Sequence, residues 1–345
     1  MNDDSEISQS QPDISEKDIR GERKILLTGS TGFVGTHTAQ HLVERGYNLR
    51  CLVRNTSDTS RLPRNVELAT GSLSNYESLK RAVKGCWGVM HVGGIVRAQQ
   101  VRDFYLVNRD GTSNLITAAC EAGVERFMLC SSIAAVGPST PARQRQTDER
   151  PNPITDYGRS KLAGEEVLQK GAGEMWWCVV RPPPVYGPWD VAFYTLVKWV
   201  NRGFKIRLGE GKMPLSIIHG ADLARAMTLA IEADHPSGAK WFATDGADHD
   251  LPELLGAIES ALDKNARWIT IPEWIAPGVA RIIEFTAKLR GDTALLSRQK
   301  LDEMLQPAWT CDDEPLRKAT GYREMFNLED GMRQTVEWYF EQRWI

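Results

Sequence analysis

The sequence predicts an α/β fold, a doubly wound parallel sheet covered by helices on both faces and followed by a second lobe. Three observations predict it. Short apolar runs alternate with helical patterns from Lys24 to Val180, a glycine-rich turn directly follows the first apolar run, and the texture of the chain changes after Arg181. With 345 residues, 41% of them hydrophobic and 25% charged, the chain can bury a sizeable core in one large domain or two lobes.

The first 22 residues carry Asp3, Asp4, Glu6, Asp13 and Glu16 and lack the basic start and apolar run of a signal peptide. A disordered acidic tail is expected there. No stretch reaches 18 consecutive apolar residues, so no membrane insertion is expected, and a cytoplasmic location is. Ile25–Leu27 begins the first strand, Phe33 to Arg45 reads as a helix, and Leu49 to Val53 as the second strand. Further strands are expected at Gly88 to Val92, Phe127 to Cys130 and Trp177 to Val180, with helices over Tyr105 to Ala122 and Tyr157 to Leu168. Pro182, Pro183 and Pro184 lack the N–H that a central strand needs, which marks a lobe boundary. Amphipathic stretches follow at Leu251 to Asp263, Trp274 to Leu289 and Leu328 to Tyr339. Ten of the eleven tryptophans lie from Trp176 onward, serving either as core packing or as the wall of an apolar substrate pocket.

Composition excludes several functions. Forty-two Lys and Arg against 45 Asp and Glu give a net charge of −3, which leaves no overall footprint for nucleic acid. The six cysteines are scattered without a C-x-x-C pair, as expected of reduced thiols rather than of a disulfide framework or a metal site. His37 and His41 are four apart without the acid of a zinc motif, so a solvated helix face is expected and no metal. No G-x-S-x-G surrounds Ser131 or Ser132, which leaves a hydrolase nucleophile unsupported.

The segment Thr28 to Gly35 spaces its glycines as G-x-x-G-x-x-G between a strand and a helix. Such a turn lets the backbone approach a pyrophosphate, and the helix N-terminus presents free N–H groups to it. Gly29, Thr31, Gly32, Phe33, Val34 and Gly35 are therefore candidate dinucleotide contacts. The second strand ends in Arg54 rather than in the acid that holds a ribose 2′-hydroxyl, and a guanidinium there suits a 2′-phosphate. That favours NADP over NAD.

Tyr157 and Lys161 are four residues apart, hence on one helix face, and Ser132 ends an apolar strand 25 residues earlier. The same spacing occurs at Tyr76 with Lys80 and Tyr194 with Lys198, so position along the fold singles out Tyr157. A phenol of ordinary pKa near 10 is a poor acid–base group at neutral pH unless a cation favours its phenolate, and Lys161 can supply one. Tyr157 would then protonate the alkoxide formed when a ketone accepts hydride, with Ser132 orienting the oxygen.

Together with Asn108-Arg-Asp-Gly-Thr112, Arg181 to Pro188 and His219-Gly-Ala-Asp222, these segments resemble the extended short-chain dehydrogenase/reductases, the NAD-dependent epimerase/dehydratase family, over about residues 24 to 235. The resemblance implies a Rossmann-like lobe over 23–188, with 215–244 returning to it, and a smaller C-terminal α/β substrate lobe from 189–214 and 245–345. It implies Ser132, Tyr157 and Lys161 as catalytic positions with Asn108 supporting them. Ser72, Leu73, Val92, Gly93, Gly94, Pro182 and Val185 would line the cofactor beside Tyr157 and Lys161. Ser72 stands where the family often has Asp, and Gly93-Gly94 where it often has alanines. Pro184 and Leu215 replace the Asn and Arg with which sugar-nucleotide enzymes of the family hold a diphosphate. This resembles the branches of 3β-hydroxysteroid dehydrogenases and dihydroflavonol reductases, and implies a hydrophobic substrate near Ile95, Ile133, Val185, Trp189 and Phe193. A nucleotide-sugar epimerase and a non-catalytic NADP-binding sensor are the alternatives. A homodimer is implied by the resemblance alone.

Overall fold

The computed structural model describes residues 20–209, 213–275, 278 and 298–345. Most of the expected acidic tail, and all of the Trp274 to Leu289 stretch except Trp274, Ile275 and Gly278, lie outside the described residues.

The first lobe is built on β1 (Lys24–Thr28), β2 (Asn48–Val53), β3 (Glu67–Thr70), β4 (Gly88–His91), β5 (Arg126–Cys130), β6 (Trp176–Arg181) and β11 (Ala239–Phe242). All pair in parallel, in the order β11-β6-β5-β4-β1-β2-β3, the doubly wound sheet that the alternating pattern predicts. Successive residues of the strands point to opposite faces. Ile25, Leu27, Met128, Cys178 and Val180 pack under α1 (Phe33–Glu44) and α7 (Gly220–Glu232). Leu26, Phe127, Leu129 and Val179 pack under α2 (Tyr76–Val83), α4 (Thr112–Glu121) and α5 (Asp156–Gly171). The edge strand β3 escapes the apolar-run reading because Glu67, Leu68 and Thr70 are exposed. β6 stops at Arg181, where the three prolines begin.

In the second lobe, α6 (Ala192–Asn201), α8 (Leu251–Leu262) and α11 (Leu328–Glu341) bury Phe193, Val197, Leu254, Ile258, Met332 and Val336 against one another. Asp250 opens α8 with a capping box to Glu253. β8 (Phe204–Leu208) and β13 (Arg267–Ile271) form a separate parallel pair, and β9 (Leu215–Ser216) and β12 (Asp248–His249) an antiparallel one. α9 (Arg298–Met304) and α10 (Glu314–Thr320) follow, and the chain between them runs beside the first lobe, where Ser139 bridges to Ala308 and Arg145 to Cys311. Leu316 and Tyr322 pack in the core of the sheet lobe, although the division drawn from the sequence puts them in the other one. The Tyr322 hydroxyl donates to the Thr244 carbonyl at the end of β11 and holds them there.

Candidate active site

Strand order reverses between β1 and β4, so a crevice opens at their carboxyl ends, where α/β ligands bind. The glycine turn and Gly93 meet in it. Gly29 has φ of 72°, and a Cβ on it would stand 2.6 Å from the Gly93 nitrogen. A Cβ on Gly35 would stand 2.0 Å from the Gly29 carbonyl oxygen, so both positions exclude side chains. Gly32 caps α1 without a side-chain acceptor, and no acid lies in the first turn, which leaves Thr31, Phe33 and Val34 at an open, electropositive helix end. The backbone there fits a dinucleotide pyrophosphate.

The other candidate contacts follow the same sheet edge. Arg54 is exposed just past β2 and forms no ion pair among the described residues. Ser72 and Leu73 follow β3; the Ser72 hydroxyl meets that of Ser74 at 3.0 Å, and the Leu73 carbonyl accepts from Asn114. Val92 packs against the core under α1, and Gly94 is exposed, with Asn108 and Lys161 next to the place a Cβ would occupy.

A directed hydrogen-bond chain holds this edge. The Gly93 N–H donates to the Thr28 hydroxyl at 3.2 Å, and that hydroxyl donates to His91 Nδ1 at 2.6 Å. His91 Nε2–H donates to the Thr112 hydroxyl at 2.9 Å, which donates to the Asn108 carbonyl at 2.8 Å. With every partner accounted for, His91 is the neutral Nε2–H tautomer. Burial, reinforced by the Lys161 charge, pushes its pKa down to about 3. The sequence reading passed over His91, whose signal was a histidine at the end of an apolar strand.

Asn108 lies in a π-helical turn, Leu106–Gly111, between α3 (Val101–Tyr105) and α4. Its side chain accepts from the Ile95 N–H at 2.9 Å and donates to the Ile95 carbonyl and the Ser160 hydroxyl. It thereby ties the loop after β4 to α5.

α5 starts at a Thr155 cap, whose hydroxyl accepts from the Gly158 N–H. Ser132 follows β5 and accepts from the Ala134 N–H at 3.1 Å, and its hydroxyl favours the Tyr157 phenolate. Burial pushes the phenol well above its ordinary range; the Ser132 hydroxyl opposes this, and the Glu303 carboxylate adds to it. Lys161 is buried and donates to the Cys130 carbonyl at 2.7 Å. Burial lowers its pKa, and the Glu165 carboxylate opposes that. The structure thus sets Lys161 between the Cys130 carbonyl and Gly94, with Ser132 and Tyr157 acting on one another electrostatically, while Arg54 stands apart past the end of β2.

Behind these groups lies a buried ion pair that the sequence reading missed. Arg181 donates twice to Glu165, at 3.0 and 2.6 Å, and Ser131 donates to Glu165 at 2.6 Å. Its only sequence signal was Glu165 four residues after Lys161 on the same helix face. A second missed feature is α9, whose Gln299 accepts from the Asp156 N–H at 2.8 Å while Glu303 accepts from the Thr155 hydroxyl at 3.3 Å. Both meet the first turn of the helix that carries Tyr157.

On the expected substrate side, Pro182 accepts from the Ile133 N–H, and Val185 opens β7 (Val185–Tyr186), which pairs with β10 (Ile218–His219). Ile133 and Phe193 are core residues of the second lobe, whereas Ile95, Val185 and Trp189 are partly exposed. His37 corrects the reading of a solvated helix face. It is buried, meets the Pro188 carbonyl at 3.1 Å, and stacks edge-on against Phe33, Trp189 and His219, because the chain leaving the first lobe crosses α1. Among the described residues no cluster of His, Cys, Asp and Glu could hold a metal ion.

The sequence profile of the NAD-dependent epimerase/dehydratase family matches residues 25–241. A ceramide reductase of Caulobacter vibrioides is 28% identical over 332 residues, covering 95% of this chain and 97% of its own. A UDP-glucose 4-epimerase of Vibrio cholerae is 28% identical over 339 residues, covering 93% of this chain and 98% of its own. The crystal structure of the UDP-glucose 4-epimerase of Thermotoga maritima superposes with a TM-score of 0.77 at 20% identity, over 93% of this chain and 99% of that one.

Proposed function

Because the chain belongs to the NAD-dependent epimerase/dehydratase family, we propose that it is an NADP(H)-linked oxidoreductase of secondary alcohols and ketones on hydrophobic small molecules. The observation that carries this reading is that the Ser132 hydroxyl favours the phenolate of Tyr157, on the same helix as the buried Lys161 at the carboxyl end of β5. NADPH bound along that turn would supply the hydride. The chain's own residues do the rest. Ser132 orients the substrate oxygen, Tyr157 gives its proton to the developing alkoxide, and the Lys161 ammonium favours the phenolate left behind. Asn108 and the Glu165–Arg181 pair hold those groups in place. Arg54 pairs with the 2′-phosphate.

The similarity to a ceramide reductase supports a hydrophobic substrate. Pro184 and Leu215 support it too: one offers only its ring and the other is a buried side chain, so neither provides a polar anchor for a nucleoside diphosphate. Similarity to a UDP-glucose 4-epimerase keeps a second reading, in which a retained cofactor oxidises a sugar nucleotide transiently. Thermal-shift titrations separate the two. The proposal expects NADPH to stabilise the protein more than NADH, Arg54→Asp to reverse that order, and long-chain or polycyclic ketones to add stabilisation. Stabilisation by UDP-sugars alone overturns it.

A further inference from the structure

The end of the second lobe formed by α6, β8 and β13 carries a surface that the chemistry above does not use. In the parallel register, Phe204, Ile206 and Leu208 share a face with Arg267, Ile269 and Ile271. Lys205 and Arg207 share the opposite face with Trp268 and Thr270. Trp199, Phe204, Trp268, Ile269 and Ile275 are each more than a third exposed, and Trp274 is 82% exposed. Phe204 and Ile269 lie on one face of the ribbon and Trp268 on the other, with Trp199 on the preceding helix and Trp274 and Ile275 on the following turn. So many exposed large apolar side chains on one short ribbon mark an interaction element rather than scattered exposure.

The charge around them is one-sided. Residues 198–208 and 264–275 hold Lys198, Arg202, Lys205, Arg207, Lys264 and Arg267 against the single acid Glu273, in a chain whose net charge is −3. Only Lys205 among these cations forms an ion pair with a described residue, Glu259. Lys205 and Arg207 lie 4.9 and 5.0 Å from the Trp268 ring centre, and Arg202 lies 5.9 Å from that of Trp199. Indoles bordered by long cationic side chains suit one environment above others, the headgroup layer of a bilayer, where the ring meets acyl chains and the cations meet phosphates. No described helix is long and apolar enough to cross a membrane.

We propose that the β8–β13 ribbon, with Trp199 and the Trp274–Ile275 turn, docks the protein on bilayers containing anionic lipid. The proposal stands apart from the oxidoreductase reading, because binding is measured without cofactor or substrate. The experiment is flotation of the full chain with vesicles of phosphatidylcholine alone or mixed equally with phosphatidylglycerol. Binding to the mixed vesicles is expected, weakened at least about tenfold by high salt and by Arg202→Glu with Arg267→Glu, and lost in Trp268→Ala with Trp274→Ala. Circular dichroism and the melting temperature check that the variants remain folded. Because Trp274 is so exposed, Trp274→Ala alone serves if the double variant does not fold. Failure to float with anionic vesicles, or equal binding by the charge-reversed variant, overturns the proposal. So does a dimer in solution that the tryptophan substitutions dissociate while vesicles are ignored, which would give this face to a second copy of the chain.

Discussion

At Tyr157 two demands conflict. Burial holds the proton on the phenol, while acid–base chemistry requires it to leave as an alkoxide forms. The Ser132 hydroxyl favours the anion and so opposes burial, and in the proposed chemistry the Lys161 ammonium, held on the Cys130 carbonyl, would add to it. Tyr157→Phe removes the donor but not the shape. Turnover is expected to fall by about 10²- to 10⁴-fold with NADPH affinity nearly unchanged, as steady-state rates and a binding titration will read. Tyr194→Phe is the control. That hydroxyl donates to the Trp344 carbonyl and its ring packs on Tyr339, so the substitution should leave turnover within a few-fold of the parent. Loss of activity in the Tyr194 variant and retention in the Tyr157 variant would reverse the assignment.

α5 shows why one Tyr–Lys pair differs from two others. Tyr76 with Lys80 and Tyr194 with Lys198 also lie on helices, and in each the ammonium sits 5.8 Å from the ring centre. Spacing makes all three neighbours, as the helical period requires. Only α5 starts beside the carboxyl end of β5, and one turn past Lys161 its Glu165 is locked to Arg181 and Ser131. Glu165→Gln leaves Arg181 buried without its counter-charge and should cost about 3–5 kcal/mol in denaturant unfolding. Joint replacement by Glu165→Leu and Arg181→Met should recover most of that stability, since two apolar side chains need no partner. If the single variant unfolds at the parental denaturant midpoint, the pair does not anchor the helix.

Across the whole molecule, His37, His91 and His219 are buried as neutral rings, with pKa values depressed by desolvation to about 4, 3 and 3. Each binds a proton more readily in the unfolded chain, whose histidines titrate near 6.5, so stability is full above that pH and is lost as pH falls toward 3. The slope contributed by each is up to about 1.4 kcal/mol per pH unit. Asp222, raised to about 6 by burial, acts in the opposite sense between pH 6 and 3.8. Asp190, raised by burial, and His249, raised against its burial by Asp245, also act in that sense, while His41, lowered to about 4 by burial, adds to the three. Denaturant melts from pH 7 to 4 should show stability falling with acidification, and less steeply in His91→Asn. A flat profile would mean that these rings protonate freely in the folded protein.

Much of the fold was readable from local pattern. The apolar runs of β1, β5 and β6 alternating with helical patterns, the three-proline stop and the glycine spacing follow from backbone geometry and nearest-neighbour constraints, which act wherever those residues occur. The edge strand β3 gave no such pattern because water covers most of it. What only the tertiary structure decided is which polar groups meet: Glu165 with Arg181 across 16 residues, Asn108 with Ser160 across 52, and Gln299 with Asp156 across 143. Such pairs have no sequence period, since burial removes water from both partners and leaves topology alone to choose which group answers the other.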